Sequence, residues 1–296
     1  MNAPNNALLK SVLQSSQHRA AGSLILTERQ IVNKLKVADG FDKAASRYNS
    51  LAKVQQEIAD YGLSRLEQMS VNSAQCLLDI GCGTASSFSR LVNIADHVVG
   101  LDISLNMLCQ ATQDADQQNR VGFTAINADA EALPIQSSSI DVVYSSMALQ
   151  WCESPKLALN EVKRILTPNG KALLCILTGE SFNHLQSAWQ HIRLPCRINQ
   201  FHSKQVWLNA AKHLQNDFTY CIKHFTSHHL TIMDMLHSIK RIGANTRIAD
   251  SSKASNYISR QEIAALTEHM ILQLGTQQTF PLCYQLLFLE IENSAS

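Results

Sequence analysis

The 296-residue chain has no apolar stretch of about 18 residues, so a membrane-spanning helix is not expected. Met1 to Ala20 lack the apolar core of a signal peptide, and a cytoplasmic location is expected by default. No run of Lys and Arg with interleaved aromatics occurs, and 25 basic residues against 24 acidic ones give no steering toward nucleic acid. The eight cysteines include no pair two apart, which disfavours zinc sites built from close Cys pairs. Cys76 and Cys175 stand in apolar stretches, where a free thiol packs as a small hydrophobe. His224, His228 and His229 cluster in sequence, but in a strand His228 and His229 point to opposite faces and read as exposed residues. No acid–base dyad stands at a telling spacing, and no metal is implied.

What is present begins at Gln75. Cys76 to Ile80 reads as a short buried strand that carries Asp79 near its end and runs into a glycine turn at Gly81, Cys82 and Gly83, followed by a helix. The glycines let the backbone turn sharply and approach a ligand. The following helix would aim its free N–H groups and positive dipole end at that turn. Twenty-one residues after Gly81, a second strand (His97 to Leu101) ends in Asp102, a spacing that suits a ribose held through its hydroxyls. A dinucleotide turn wants glycine at its sixth position, and here that position is Ser86.

Further along, a third strand (Val121 to Ile126) leads into Asn127 to Pro134, and the apolar stretch Ser139 to Met147 would carry Ser145 and Ser146 to the carboxyl-end crevice of an open sheet. Ser154 and Pro155 form an N-cap and first-turn pair for a helix to Leu166. Thr167 to Gly170 reads as a turn, leading to the strand Lys171 to Leu177. This alternation of strand and helix is the pattern of a doubly wound α/β sheet. Upstream, Phe41, Ala44, Ala45, Tyr48, Leu51, Val54, Ile58 and Tyr61 recur at spacings of three or four, an amphipathic helix broken near Asn49 and Ser50. Gly179 to His213 reads as an insertion forming a helical lid. The polar start of the chain, Met1 to Ser16, is left without structure. The expected organisation is an N-terminal extension at 1–36 and one domain at 37–296. Its cofactor half covers about 71–178, and its substrate cap is drawn from 37–68 and 179–260.

The order Asp79, Gly81, Gly83, Ala85 resembles motif I of class I S-adenosylmethionine-dependent methyltransferases, with Ala85 where a third glycine is usual. That resemblance implies a Rossmann-like fold: a mostly parallel seven-stranded sheet flanked by helices, with an N-terminal cap and a helical insertion. It places Asp79 near the methionyl ammonium, Asp102 on the ribose, and Asp129 with Ala130 at the adenine. Gly81, Cys82, Gly83, Ile103, Met107 and Ser145 complete the implied cofactor set.

Over about Phe41 to Glu292 the chain is similar to the malonyl-acyl-carrier-protein O-methyltransferases of biotin synthesis. The matching pieces are Phe41 to Tyr48 with Ala52 and Gln55, Ala148 to Cys152, Ala188 to Gln190, Ile239 to Ala244 and Phe280 to Tyr284. Gln200 departs from an expected Arg, although Arg197 is close by. The resemblance implies methyl transfer to the free carboxylate of a malonyl thioester on acyl-carrier protein or coenzyme A, by a monomer. A carboxylate nucleophile is ionised near neutral pH and needs no strong base. It does need a cationic or hydroxyl partner. Candidates are Arg241, Lys240, Arg197 and Arg47, with Tyr48 and Tyr284 as hydroxyl donors. Lys204, Lys212, Lys240, Arg241 and Arg247 are candidates for a basic patch facing an acidic carrier protein. The alternatives are methylation of another small acceptor, such as a quinone carbon, and a non-catalytic S-adenosylmethionine-binding module.

Overall fold

A computed structural model of the chain describes residues 28–45, 53–69, 74–117, 123–193, 198–241, 258–275 and 279–294. Seven strands form one sheet: β1 (Ala74–Ile80), β2 (Ala95–Asp102), β3 (Phe123–Asn127), β4 (Ile140–Ser146), β5 (Leu166–Leu177), β6 (Asp217–His229) and β7 (Phe280–Glu292). Their order is β3-β2-β1-β4-β5-β7-β6. The first five strands run parallel, while β7 lies antiparallel between β5 and β6. Strands covered on both faces read as near-continuous apolar runs. Leu77, Leu78, Val142, Val143, Leu173 and Leu174 are accordingly fully shielded, in two clusters on opposite faces of the sheet.

The helices of the first half are α1 (Glu28–Ala44), α2 (Lys53–Gln68), α3 (Phe88–Leu91), α4 (Leu105–Gln117) and α5 (Pro155–Ile165). In the second half come α6 (Asn183–His191), α7 (Lys204–Lys212), α8 (Ile232–Arg241) and α9 (Arg260–Leu274). The Ser154 side chain accepts the amide of Leu157 at 3.3 Å, with Pro155 in the first turn of α5. Ala158, Leu159, Val162 and Ile165 form the buried face of α5, each larger side chain contributing roughly 1.5–3 kcal/mol by leaving water. The insertion after β5 supplies α6 and α7, and each buries a tryptophan completely, Trp189 and Trp207. No helix among the described residues is long and apolar enough to cross a membrane.

Two expectations are corrected. The helix after the glycine turn is a single turn, Phe88–Leu91. Ala85 takes a left-handed conformation, φ +56°, which a right-handed helix cannot contain, so the helix starts only beyond it. The turn at Thr167 to Gly170 lies inside β5 as a register irregularity between its pairings with Ile140 and Val142, rather than as a separate link. Asn293 fills it, its side-chain amide donating to the carbonyls of Leu166 and Thr167. Helix α1 starts at Glu28 and buries Lys34.

Candidate active site

The strand order reverses between β1 and β4, and a cleft of about 750 Å³, open on one side, lies at their carboxyl ends. The end of β1 supplies Ile80, Gly81 and Gly83, and the end of β2 supplies Leu101, Asp102 and Ile103. The loop after β3 supplies Ala128 to Glu131, β4 ends in Ser146 to Ala148, and Met107 comes from α4. Helix α1 closes the far side with Lys34, Val37 and Phe41, spaced three and four residues apart on one helical face.

The glycine turn is held by hydrogen bonds to β2. The amides of Gly81 and Cys82 donate to the Leu101 carbonyl at 2.6 and 3.1 Å. The Gly83 amide donates to Asp102 Oδ2 at 2.9 Å, and Asp102 Oδ1 accepts the Ser104 amide at 2.8 Å. With the helix dipole reduced to one turn, this carboxylate orders the turn. Both glycines have positive φ, +75° and +55°. A β-carbon on Gly81 would meet that of Ala148 at 2.0 Å, so this glycine lets β1 and β4 close together. One on Gly83 would meet nothing within 4 Å: it would stand in the open cleft, where a ligand needs the room.

Burial dominates the acid chemistry. Asp79 is pushed up to about 7 by burial and by the nearby Asp102 charge. Burial also pushes Asp102 up to about 6, against the amide hydrogen bonds of Ser104 and Gly83. Of the two, Asp102 lines the cleft, and a cationic ligand beside it would favour its ionised form.

The loop after β3 is clamped from two sides. From α5, Arg164 donates to the carbonyls of Leu133 and Ile135 at 3.0 and 2.7 Å, and Glu161 accepts the Leu133 amide at 2.7 Å. From α1, Lys34 forms ion pairs with both Asp129 and Glu131, all three groups being at most 8% exposed. Asp129 Oδ1 accepts the Glu131 amide at 3.0 Å, and Glu131 accepts the amides of Glu153 and Ser154 at 3.1 and 2.8 Å. Burial pulls the Lys34 ammonium down, but the two carboxylates outweigh it and hold it above the usual lysine range. At its other end α1 is tied by Asp42, which accepts the Ser104 hydroxyl at 2.5 Å and the Asn106 amide at 3.0 Å.

A second cavity adjoins the first and shares Phe41, Met147 and Trp151 with it. Its wall continues through Gln55, Gln150, Leu177, Phe182, Ile198, Asn199, Phe201, Ile239 and Tyr284. Trp151 packs edge-on against Phe41 on one side and Phe201 on the other, with centroids 5.6 and 5.4 Å apart. Gln150 is buried, its Nε2 donating to the Met147 carbonyl at 2.6 Å, while Gln150 Oε1 and Trp151 Nε1 have no partner among the described residues. Burial pushes the Tyr284 hydroxyl up to about 12, so it stays neutral and can donate.

Of the residues singled out in the sequence, Gly81, Gly83, Asp102, Ile103, Met107, Asp129 and Ala130 line the first cleft together. Asp79 and Cys82 are buried behind the turn. Ser145 is turned away: its hydroxyl donates to the Ile80 carbonyl at 2.8 Å, and the next residue, Ser146, faces the cleft, as strand alternation requires. Tyr284 lines the second cavity, remote in sequence from the rest. Tyr48, Arg47, Arg197 and Arg247 lie outside the described residues. Lys240 and Arg241 close α8 directly after the cavity-lining Ile239, and their side chains lie outside the described residues. No cation lines the second cavity among the described residues. His228 is exposed and His229 half-buried, on opposite faces of β6, and the described residues hold no cluster that could bind a metal. Sequence reasoning missed Lys34, since a lysine at the head of an apolar stripe looks like the solvent side of a helix.

A family model described as a methyltransferase domain matches residues 78–174. The malonyl-acyl-carrier-protein O-methyltransferase of Erwinia billingiae is 32% identical over 248 residues, covering 81% of this chain and 91% of that protein. The biotin biosynthesis bifunctional protein of Cellvibrio japonicus is 29% identical over 244 residues, which are 80% of this chain and 46% of that one. Among solved structures, phosphoethanolamine N-methyltransferase 2 of Haemonchus contortus, in complex with phosphomonomethylethanolamine and S-adenosylhomocysteine, shares the fold. Its TM-score is 0.54 at 16% identity, over 88% of this chain and 60% of that one. With its sheet order, its glycine turn and this extent of similarity, the chain belongs to the malonyl-acyl-carrier-protein O-methyltransferase family.

Proposed function

We infer that the protein transfers the methyl group of S-adenosylmethionine to the free carboxylate of malonyl-acyl-carrier protein, giving the methyl ester that serves biotin synthesis. The observation that carries this is the shared wall of Phe41, Met147 and Trp151, where an acidic cofactor cleft meets an apolar acceptor cavity. The cofactor suits the first cleft: room is left at Gly83, and Asp102 favours a cation. When bound there, S-adenosylmethionine supplies an electrophilic methyl group on a sulfonium.

The chain's own residues do the remaining work. We assign Asp102 to the ribose hydroxyls, Asp129 with Ala130 to the adenine, and the buried Asp79 to the methionyl end. Phe41, Met147 and Trp151 exclude water at the seam, where aromatic faces also favour a cationic sulfur. Alignment of the two reactants can remove roughly 7–11 kcal/mol of barrier. The described lining of the acceptor cavity offers no His, Asp or Glu as a base, which suits a carboxylate nucleophile better than a carbon acid. Tyr284 and the Trp151 indole N–H are neutral donors for the acyl group, with Tyr48, Lys240 and Arg241 proposed as its further partners. The enzyme is taken to act as a cytoplasmic monomer.

Incubation with S-adenosylmethionine and malonyl-acyl-carrier protein, followed by intact mass of the carrier, tests the proposal. A gain of one methyl, lost on mild ester hydrolysis, is expected. An unchanged carrier alongside firm S-adenosylhomocysteine binding would discard the substrate and keep the cofactor.

A further inference from the structure

The acidic loop after β3 carries more than one adenine contact. Lys34, Asp129 and Glu131 form a buried cluster in which one ammonium faces two carboxylates, leaving one negative charge uncompensated. Glu131 is the better satisfied of the two acids, since its two oxygens also take the amides of Glu153 and Ser154. Asp129 has one backbone amide and the lysine, and it faces the cleft. Both acids line the cleft, and Asp129, with fewer partners, has more room for a further donor from a ligand.

We propose that Lys34 is the residue that makes this site selective for a 6-amino purine. By pairing with Asp129 it fixes the carboxylate in the orientation that accepts an exocyclic N–H. Without the ammonium, nothing holds the Asp129 carboxylate in that orientation from the α1 side, whatever stands at position 131. Lys34 reaches the loop from α1, a helix also tied down by Asp42, so the selectivity is set by a segment outside the cofactor half of the fold. Lys34 is a positioning residue here, acting on the ligand through Asp129. The inference rests on the cofactor assignment above.

The test is calorimetric titration of the purified chain with S-adenosylhomocysteine and with its 6-deamino analogue, in which hydrogen replaces the exocyclic amine. For the wild type, loss of a hydrogen bond to a buried carboxylate should weaken binding roughly 10- to 100-fold. In Lys34→Met the ratio should shrink to within about threefold, chiefly because the amino form loses affinity. The double variant K34M/E131Q leaves the net charge of the cluster unchanged and serves if the single variant does not fold; its ratio should shrink in the same way. A structural role alone would weaken both ligands equally and leave the ratio unaltered, which would overturn the proposal. A wild type that does not distinguish the two ligands would overturn it as well. Failure of the wild type to bind S-adenosylhomocysteine at all would instead remove the cofactor assignment, and this inference with it.

Discussion

Alanine in place of either turn glycine separates two roles that the structure gives to neighbouring residues. At Gly81 the new methyl would lie 2.0 Å from the Ala148 β-carbon and the backbone would remain at φ +75°. Left-handed backbone costs a non-glycine residue about 1–2 kcal/mol, and forcing an extra methyl into a packed seam costs about 1–3 kcal/mol more. Less about 0.5–1 kcal/mol from the stiffer unfolded chain, Gly81→Ala should lose about 1–4.5 kcal/mol of stability. At Gly83 the methyl would meet nothing, so only the backbone cost applies, offset by about 0.5–1 kcal/mol from the stiffer unfolded chain. Gly83→Ala should stay within about 1 kcal/mol of the wild type. Its methyl would instead occupy cleft space and reduce S-adenosylhomocysteine affinity by at least about tenfold, since displaced ligand contacts worth 1.4 kcal/mol suffice. Urea unfolding gives the stabilities and calorimetry the affinities. With a slope of about 2–3 kcal/mol per molar, Gly81→Ala should move the midpoint by about 0.3–2 M. If Gly81→Ala unfolds at the wild-type midpoint, β1 and β4 do not meet there. If Gly83→Ala binds as tightly as the wild type, the cofactor does not pass over that turn.

Asp79 and Asp102 hold protons up to about 7 and about 6, whereas in the unfolded chain they release them near pH 4. Through that window the native state binds more protons, so these groups make stability fall as pH rises. The stability gap between Asp79→Asn and the wild type should thus widen in the variant's favour from pH 5 to pH 8, by at most about 3 kcal/mol; a constant gap in urea unfolding would refute it. Tyr284→Phe should slow methylation of the malonyl carrier by about 10- to 100-fold, the worth of a hydrogen bond to a charged group, with S-adenosylhomocysteine affinity unchanged. Unaltered turnover would return Tyr284 to the core. Ser259→Ala removes one half of the reciprocal cap on α9, where the Ser259 hydroxyl accepts the Glu262 amide at 3.2 Å, and should lower stability by about 1 kcal/mol in the same urea assay.

The cofactor half was legible because its constraints are local. Cys76 to Ile80 and His97 to Leu101 are short runs whose observed strands extend them by at most two residues at either end. The glycines at 81 and 83 do take positive φ. Errors came where a neighbour outside the window decided the outcome. Ala85 looked compatible with a helix start, but its backbone follows the glycine turn into left-handed space and its methyl is buried in the core. Ser145 and Ser146 are indistinguishable by type, and only the position of β1 beside β4 assigns one to the Ile80 carbonyl and the other to the cleft.

The sequence by itself determined the α/β sheet, the glycine turn and the acids at the ends of β1 and β2, because each follows from side-chain period, glycine sterics and fixed spacing within about thirty residues. Tertiary structure alone decided what closes the site. Lys34 meets Asp129 across 95 residues of sequence, and Phe41, Met147, Trp151 and Tyr284 converge from three separate segments. No local rule foresees such contacts, because burying an ammonium is favourable only where two carboxylates already wait for it, and that meeting exists only once the chain has folded.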